Sequence, residues 1–506
     1  MAQKFIGGNS MDYSSLARKY GTPLYVYDFN EIQKNFIALK EAFAARKSLV
    51  CFAIKASSNL SILKFLSDLG SGFDCVSIGE LRRALYIGAK SYKIIFSGVG
   101  KQDSELEFAL KSDILLINLE SEAEMLRLEQ IAQKLNKPAR ISIRVNPNVD
   151  AKTHPYISTG LNENKFGVSI ETARKMYIYA KKSKFLNPVG IHFHIGSQLT
   201  EIAPICDAAK IVSDLLRELR ALEIDIKFFD VGGGIGIRYE DEKQIVLYDY
   251  AQGILRSLSG LDVTIVCEPG RFIAGAAGVF LTRVLYEKQN CGKRFVIVDG
   301  AMNDLIRPSL YGAHHKIELV SEQNFACESC ASQNDTENST ARNSSQQSGI
   351  TQDLAENFTA QNSTHSKAFG IEAKSASEDF APQNSTPQNG VSQSLQGNFE
   401  PQNSSNLSSA VDNSAPQSSA ESLSLCDVVG PICESGDFLA KGVSLPCLQS
   451  GDLLAIKSAG AYGFSMSSNY NTRCRAAEVA VYDGQDRLIR RRESFDDLIA
   501  LEKDLV

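Results

Sequence analysis

Apolar residues follow two rhythms along the chain. Short runs, of a length suited to strands buried on both faces, alternate with amphipathic stretches of helix length over roughly 250 residues. Residues 25–27 read as an early strand, followed by a helical pattern through Phe36, Leu39 and Phe43. The run 51–57 ends around a single lysine, Lys55, and further strands are expected at 94–96, 115–117, 141–145, 189–194, 228–231 and 264–267. Repeated strand–helix units predict an α/β fold, a parallel sheet closed as an eight-stranded (β/α) barrel over residues 28–275. Beyond about residue 276 the rhythm changes, with strands expected at 279–286, 295–298, 452–456 and 478–482 separated by turns. This predicts a C-terminal β-rich domain from residues 276–320 and 426–506, with residues 1–27 packing on it.

Between 321 and 425 the pattern gives way to Ser, Asn, Gln and Thr, with Gln-Asn-Ser recurring at 361–363, 383–385 and 402–404. Aliphatic residues are too sparse there to offset the entropy of ordering, so a disordered insertion is expected. Its Asn-x-Ser/Thr triplets follow from composition. Overall composition is that of a globular protein: 43% hydrophobic, 22% charged, net charge -6. That balance argues against nucleic-acid and anionic-membrane partners. No apolar run reaches bilayer length and the first fifteen residues lack a signal-peptide core, so a cytoplasmic location is expected. The eleven cysteines are scattered, several within apolar runs (Cys51, Cys75, Cys267), as free thiols acting as small hydrophobes. Cys327 and Cys330 lack the second pair that a zinc site would need.

The unusual residues gather at one place. Lys55, Asn146, His194, Gly232 to Gly234 and Glu268 each lie at or just past the C-terminal end of an expected strand, the face where barrel enzymes carry their sites. A lysine desolvated there favours its neutral amine, the form that condenses with an aldehyde; the alternative is a lysine marking where strand meets solvent. The turn 230–236, with Gly232, Gly233 and Gly234, frees backbone N–H groups for a phosphate and does not match a dinucleotide fingerprint. Glu268-Pro269-Gly270-Arg271 sets opposite charges across a turn, either as binding groups or as a structural ion pair. His192 and His194 share a strand face, a metal-like spacing with no partner carboxylate cluster evident. In Cys433-Glu434-Ser435-Gly436-Asp437, acidic neighbours disfavour a thiolate and suit the cysteine as a proton donor. An aldehyde-ready lysine, a phosphate nest, a carboxylate and an arginine together match pyridoxal 5'-phosphate.

These motifs resemble those of the fold-III, alanine-racemase-like pyridoxal-phosphate decarboxylases. The match runs through Phe-Ala-Ile-Lys55-Ala, His194-Ile-Gly-Ser-Gln, Asp230-Val-Gly-Gly-Gly, Glu268-Pro-Gly-Arg, the segment 303–311, Cys433-Glu-Ser-Gly-Asp and Gly460-Ala-Tyr-Gly. The resemblance implies a homodimer with shared active sites. It assigns Lys55 the cofactor imine, His194 the ring face, and Glu268 the pyridine nitrogen. Ser197, Gly232 to Gly234 and the Pro269-Gly270-Arg271 turn would border the phosphate. Arg271, Arg307 and Tyr311 would meet a distal carboxylate, Glu434 a distal ammonium, and Tyr462 would close on cofactor and substrate. Cys433 would come from the partner subunit. Two positions depart from the family pattern, Ser57 for a usual asparagine and Ile78 for a usual glycine.

The implied reaction is decarboxylation. A carboxylate at Glu268 keeps the ring nitrogen protonated, whereas racemases of this fold place an arginine there. Arginines paired with Glu434 suit a substrate whose far end is zwitterionic, as in meso-2,6-diaminopimelate, giving L-lysine and CO2 in the last step of lysine biosynthesis. The alternatives are a decarboxylase of a carboxylated polyamine such as carboxynorspermidine, and a noncatalytic pyridoxal-phosphate-binding protein.

Overall fold

The structure, a computed structural model, describes residues 11–150, 159, 164–320 and 423–506. After strand β1 (Leu24–Asp28), Asp28 caps helix Phe29–Ala42, its carboxylate accepting from the N–H groups of Asn30 and Glu31 at 2.9 and 3.2 Å. Phe29, Ile32, Phe36 and Leu39 form the helix's buried stripe. Eight parallel strands then close into the predicted barrel: β2 (Ser48–Ala53), β3 (Gly72–Cys75), β4 (Ile94–Phe96), β5 (Leu116–Leu119), β6 (Ala139–Arg144), β7 (Leu186–His192), β8 (Phe228–Asp230) and β9 (Thr264–Cys267).

Two local expectations are corrected and one unexpected strand is added. Strand β2 stops at Ala53, whose N–H reaches Pro269 O at 3.2 Å, and Ile54–Ala56 turns as a short 3-10 helix. Strand β7 stops at His192, leaving His194 on the loop beyond. Strand β3 carries Gly72 and Asp74, both poor strand formers, and gave no apolar run to notice. Gly72 is needed there, since a Cβ would lie 2.4 Å from Lys93 O.

Strand side chains alternate, so every second residue faces the barrel axis. Cys51, Ile95, Leu116 and Val266 form a buried cluster apart from the main core. Two residues further along those strands come Ala53, Ser97, Asn118 and Glu268, joined on other strands by Asp74, Ser142, His192 and Asp230. Lys55, Arg144 and His194 stand one step higher. An apolar floor therefore gives way to a polar layer toward the C-terminal mouth.

The second domain is a sheet of nine strands among the described residues. Its later members are β10 (Gly278–Asn290), β11 (Lys293–Val298), β12 (Ile317–Leu319), β13 (Ser424–Val429), β14 (Phe438–Leu445), β15 (Leu453–Ile456), β16 (Ala477–Tyr482) and β17 (Gln485–Arg490). The main order is β14-β13-β11-β10-β1-β16-β17, with β15 on β10 and β12 on β15. The N-terminal strand thus sits inside the C-terminal sheet, antiparallel to β10 and parallel to β16. Strand β13 begins within the expected insertion, Ser424 pairing with Leu445. The rest of that expectation, Cys327 and Cys330 included, lies outside the described residues.

A buried carboxylate joins sheet to barrel. Glu478 on β16 accepts from Tyr27 Oη at 2.8 Å, Asn59 Nδ2 at 2.8 Å and Arg490 Nε at 2.6 Å. Asn59 caps helix Leu60–Asp68 through Ser61 N at 2.9 Å, four residues past Lys55. The two family departures are locally unstrained. Ile78 opens helix Ile78–Tyr86 behind the Ser77 cap, without the positive φ that would call for glycine. Ser57 is buried and ends the Lys55 turn in extended conformation, φ -156°. Among the described residues, no helix is long and apolar enough to cross a membrane.

Candidate active site

A cavity of about 510 Å³ opens at the C-terminal mouth of the barrel. Lys55, His194, Ser197, Gly233, Gly234, Glu268, Gly270, Arg271, Arg307, Tyr311 and Tyr462 line it, drawn from both domains. Gly232 and Pro269 belong to the same loops without lining it, and Asn146 lies off the cavity, its side chain accepting from Asn148 N at 2.9 Å. Asp74, Arg144, His192, Tyr239 and His314 also line it and were not picked out for it from sequence, except His192 as half of a metal-like pair. The inward parity of their strands would have found the first three.

Lys55 Nζ lies 3.3 Å from Asp74 Oδ2. Its side chain is 41% exposed, but that exposure faces the cavity rather than bulk water. Desolvation pulls its pKa down; Asp74, Tyr462, Glu268 and Glu80 together outweigh it and drive the pKa upward. The expected neutral amine is therefore corrected: the fields of these groups favour the ammonium form of Lys55, paired with Asp74.

Below the lysine, His192, Asp230 and Glu268 converge within 4.8 Å, the carboxylate cluster that the sequence reading did not see beside the histidine pair. Asp230 sits on β8 and Glu268 just past β9, so only barrel closure brings them to His192. His192 Nε2 is 3.4 Å from Glu268 Oε2. Burial opposes charge on Glu268, yet His192, Lys55 and Asp230 bring its pKa down to about 2, while burial and Glu268 push Asp230 well up. The two carboxyls are pushed apart, Glu268 toward its ionised form and Asp230 toward its protonated one. Glu268 does not pair with Arg271, which removes the structural ion-pair reading. Arg271 instead donates to Ser197 Oγ at 3.2 and 3.3 Å and to Tyr239 Oη at 2.6 Å.

The glycine turn is shaped by contact. A Cβ on Gly233 would stand 2.3 Å from Glu268 O, and Gly234, at φ +111°, would meet Gly196 O at 2.6 Å. The N–H groups of Gly232 and Gly233 are already donated, to Asp230 Oδ1 at 2.9 Å and His194 Nδ1 at 3.2 Å. The expected nest is thus narrower, with Gly234 N–H the one of the three left without a partner among the described residues. Because His194 Nδ1 accepts, its ring proton sits on Nε2; burial and nearby Arg144 and Lys55 push its pKa well down and keep it neutral. Tyr462 adopts φ +61°, held by its N–H on Ala56 O at 2.9 Å, and Arg271 lies 5.0 Å over its ring.

Cys433 and Glu434 are exposed and do not line this chain's cavity. Their loop is nonetheless built: Asp437 accepts from Ile432 N and Met302 N, each at 2.7 Å, and Cys433 N donates to Asn471 Oδ1 at 2.9 Å.

The cavity fits pyridoxal phosphate on its own geometry. Among the described residues Glu268 Oε1 is buried with no hydrogen-bond partner, an acceptor suited to a ring N–H. Lys55 offers an amine, His194 a neutral ring, and the Gly234 turn with Ser197 a place for an anion.

A closed parallel barrel carrying this lysine, glycine turn and buried glutamate beside a mixed sheet defines a pyridoxal-dependent decarboxylase. Residues 29–275 match the family of the pyridoxal-dependent decarboxylase pyridoxal-binding domain, and residues 369–460 the C-terminal sheet domain. The chain is 53% identical to diaminopimelate decarboxylase of Campylobacter jejuni over 97% of its length and 99% of that protein. It is 47% identical to that of Helicobacter pylori J99 over 97% and 98%. The crystal structure of the Helicobacter pylori enzyme complexed with L-lysine superposes with a TM-score of 0.77 at 45% identity, covering 98% of this chain and all of that one. The chain belongs to the diaminopimelate decarboxylase family, whose cofactor is pyridoxal phosphate.

Proposed function

We propose that the protein decarboxylates meso-2,6-diaminopimelate to L-lysine. One observation carries the choice of substrate: Arg271 and Arg307 face the same end of the cavity, both buried, and neither is ion-paired to a carboxylate among the described residues. Two desolvated guanidiniums without a counter-ion suit a substrate that brings a second carboxylate. A diamine precursor such as ornithine brings none.

When bound, pyridoxal phosphate supplies an electron sink for the charge left at the substrate's α-carbon. Glu268, whose neighbours favour its ionised form, would hold a proton on the ring nitrogen. Neutral His194 would cover a ring face, and Ser197 and Gly234 would meet the phosphate. Lys55 would hold the cofactor through its amine, with Asp74 beside it at 3.3 Å. Arg307, Arg271 and Tyr311 hold the far carboxylate, and Tyr462 closes over the cavity. Cys433 and Glu434 act in a second copy's cavity, a reading supported by their exposure here: Glu434 meets the far ammonium, and Cys433 Sγ protonates the α-carbon once CO2 has left. The working unit is then a homodimer. A cytoplasmic location accords with nine free cysteines among the described residues.

Release of CO2 from meso-diaminopimelate, with ornithine and carboxynorspermidine as comparisons, tests the assignment. Arg307→Ala is expected to raise KM for diaminopimelate by about tenfold or more while leaving cofactor absorbance intact; an unchanged KM overturns the substrate reading.

A further inference from the structure

Arg307 begins the five-residue helix Arg307–Tyr311 and is 6% exposed. A buried guanidinium without a carboxylate needs something else to fix its plane. Its Nη1 lies 2.8 Å from His315 Nε2, and His315 Nδ1 lies 2.9 Å from Lys457 O. Arginine only donates, so Nε2 must accept; Nδ1 therefore carries the ring proton and donates it to the carbonyl. The tautomer is determined at both ends. Lys457 directly follows β15, and its N–H reaches back to Lys316 O at 2.9 Å, so the carbonyl is part of the sheet. The ring of Tyr239 stands edge-on to His315 at 5.4 Å and lies 4.9 Å under the Arg307 guanidinium, closing the other side.

Resting on the substrate reading above, we infer that His315 is a positioning residue for substrate selection: it relays the rigidity of the sheet through Lys457 O to Arg307 and orients that guanidinium for the carboxylate at the far end of the substrate. His315 is 1% exposed and touches neither the glycine turn nor Lys55 in any described hydrogen bond, so its effect is directed at that end of the cavity. The charged and titratable groups around it are Arg307, Arg271, His314 and Tyr239, with the backbone of Lys457. The cationic members among them favour the neutral ring that the relay needs. A protonated His315 would present a donor to a donor and release Arg307.

The test uses the holoenzyme and two ligands that differ only in the far carboxylate, L-lysine and pentane-1,5-diamine. In His315→Ala, Kd for L-lysine and KM for diaminopimelate are expected to rise together by about tenfold or more, with the Kd for the diamine and kcat within about twofold. His315→Gln, whose amide can accept from Arg307 and donate to Lys457 O, should recover most of the loss. Equal weakening of both ligands, or of neither, overturns the assignment, as does failure of the glutamine to rescue. Wild-type protein that fails to prefer L-lysine over the diamine overturns the substrate reading and this inference with it. A wild-type preference that His315→Ala preserves overturns the inference alone.

Discussion

Replacing Glu478 with leucine should test how the sheet holds the barrel's catalytic end. The side chain is 1% exposed and accepts three hydrogen bonds, from Tyr27, Asn59 and Arg490. Leucine fits the volume but leaves the Tyr27 hydroxyl without an acceptor, the Asn59 amide with only its 3.4 Å bond to Ile489 O, and Arg490, 34% exposed, without its counter-ion. Removing one partner of a buried ion pair costs about 3–5 kcal/mol, and solvent access on the Arg490 side keeps the value toward the lower end. Glutamine retains one acceptor oxygen, which can serve Asn59 and Arg490 while the Tyr27 hydroxyl rotates to accept; about 1–2 kcal/mol is expected. The assay is guanidinium unfolding of the holoenzyme followed by circular dichroism, since the chain has no tryptophan, with midpoints compared at constant slope. A double-mutant cycle with Arg490→Met should give less than the sum of the single losses, because the second change removes the orphaned charge. A leucine variant losing less than about 1 kcal/mol, or strict additivity in the cycle, would refute the reasoning.

Three further outcomes follow from particular contacts. Gly233→Ala drives a Cβ toward Glu268 O, 2.3 Å away, so cofactor affinity measured by absorbance titration should fall by about tenfold or more with little change in far-ultraviolet signal. Asp437→Ala releases both N–H groups that pin the Cys433 loop, so kcat should fall at least about tenfold, with Asp437→Asn losing less. His315 has its pKa pulled down to about 3, chiefly by burial and then by Arg307, so the unfolded chain binds the proton first and stability rises with pH. The contribution is complete above about pH 6.5 and is lost as pH falls toward 3; between pH 6.5 and 5 wild type should lose about 2 kcal/mol more than His315→Gln, measured by unfolding at each pH. Equal losses would contradict it.

Periodicity alone determined much of this molecule. Runs of Ile, Val and Phe separated by helical stripes specify parallel strands buried on both faces, and the C-terminal ends of those runs mark Lys55, His194 and Glu268, because the barrel mouth is where each strand hands over to a loop. Local chemistry also marked Gly234, whose φ of +111° suits glycine. Pairings distant in sequence were decided only by tertiary structure. Strand β1 reads like any early strand, and its place between β10 and β16 depends on hydrogen bonds to residues some 250 and 450 positions away. Asp230 and Glu268 look like separate strand-end acids until closure brings them together beside His192, after which their proton affinities are driven in opposite directions. Lys55 was expected neutral because burial was the only term visible in sequence; Asp74, carried by a strand with no apolar run, reverses the sign. His315 shows the same limit, since nothing in its neighbours along the chain foretells that it accepts from Arg307 and donates to Lys457. Secondary structure follows from local pattern and side-chain alternation, whereas protonation and orientation are set by fields and hydrogen bonds that exist only once distant segments have packed.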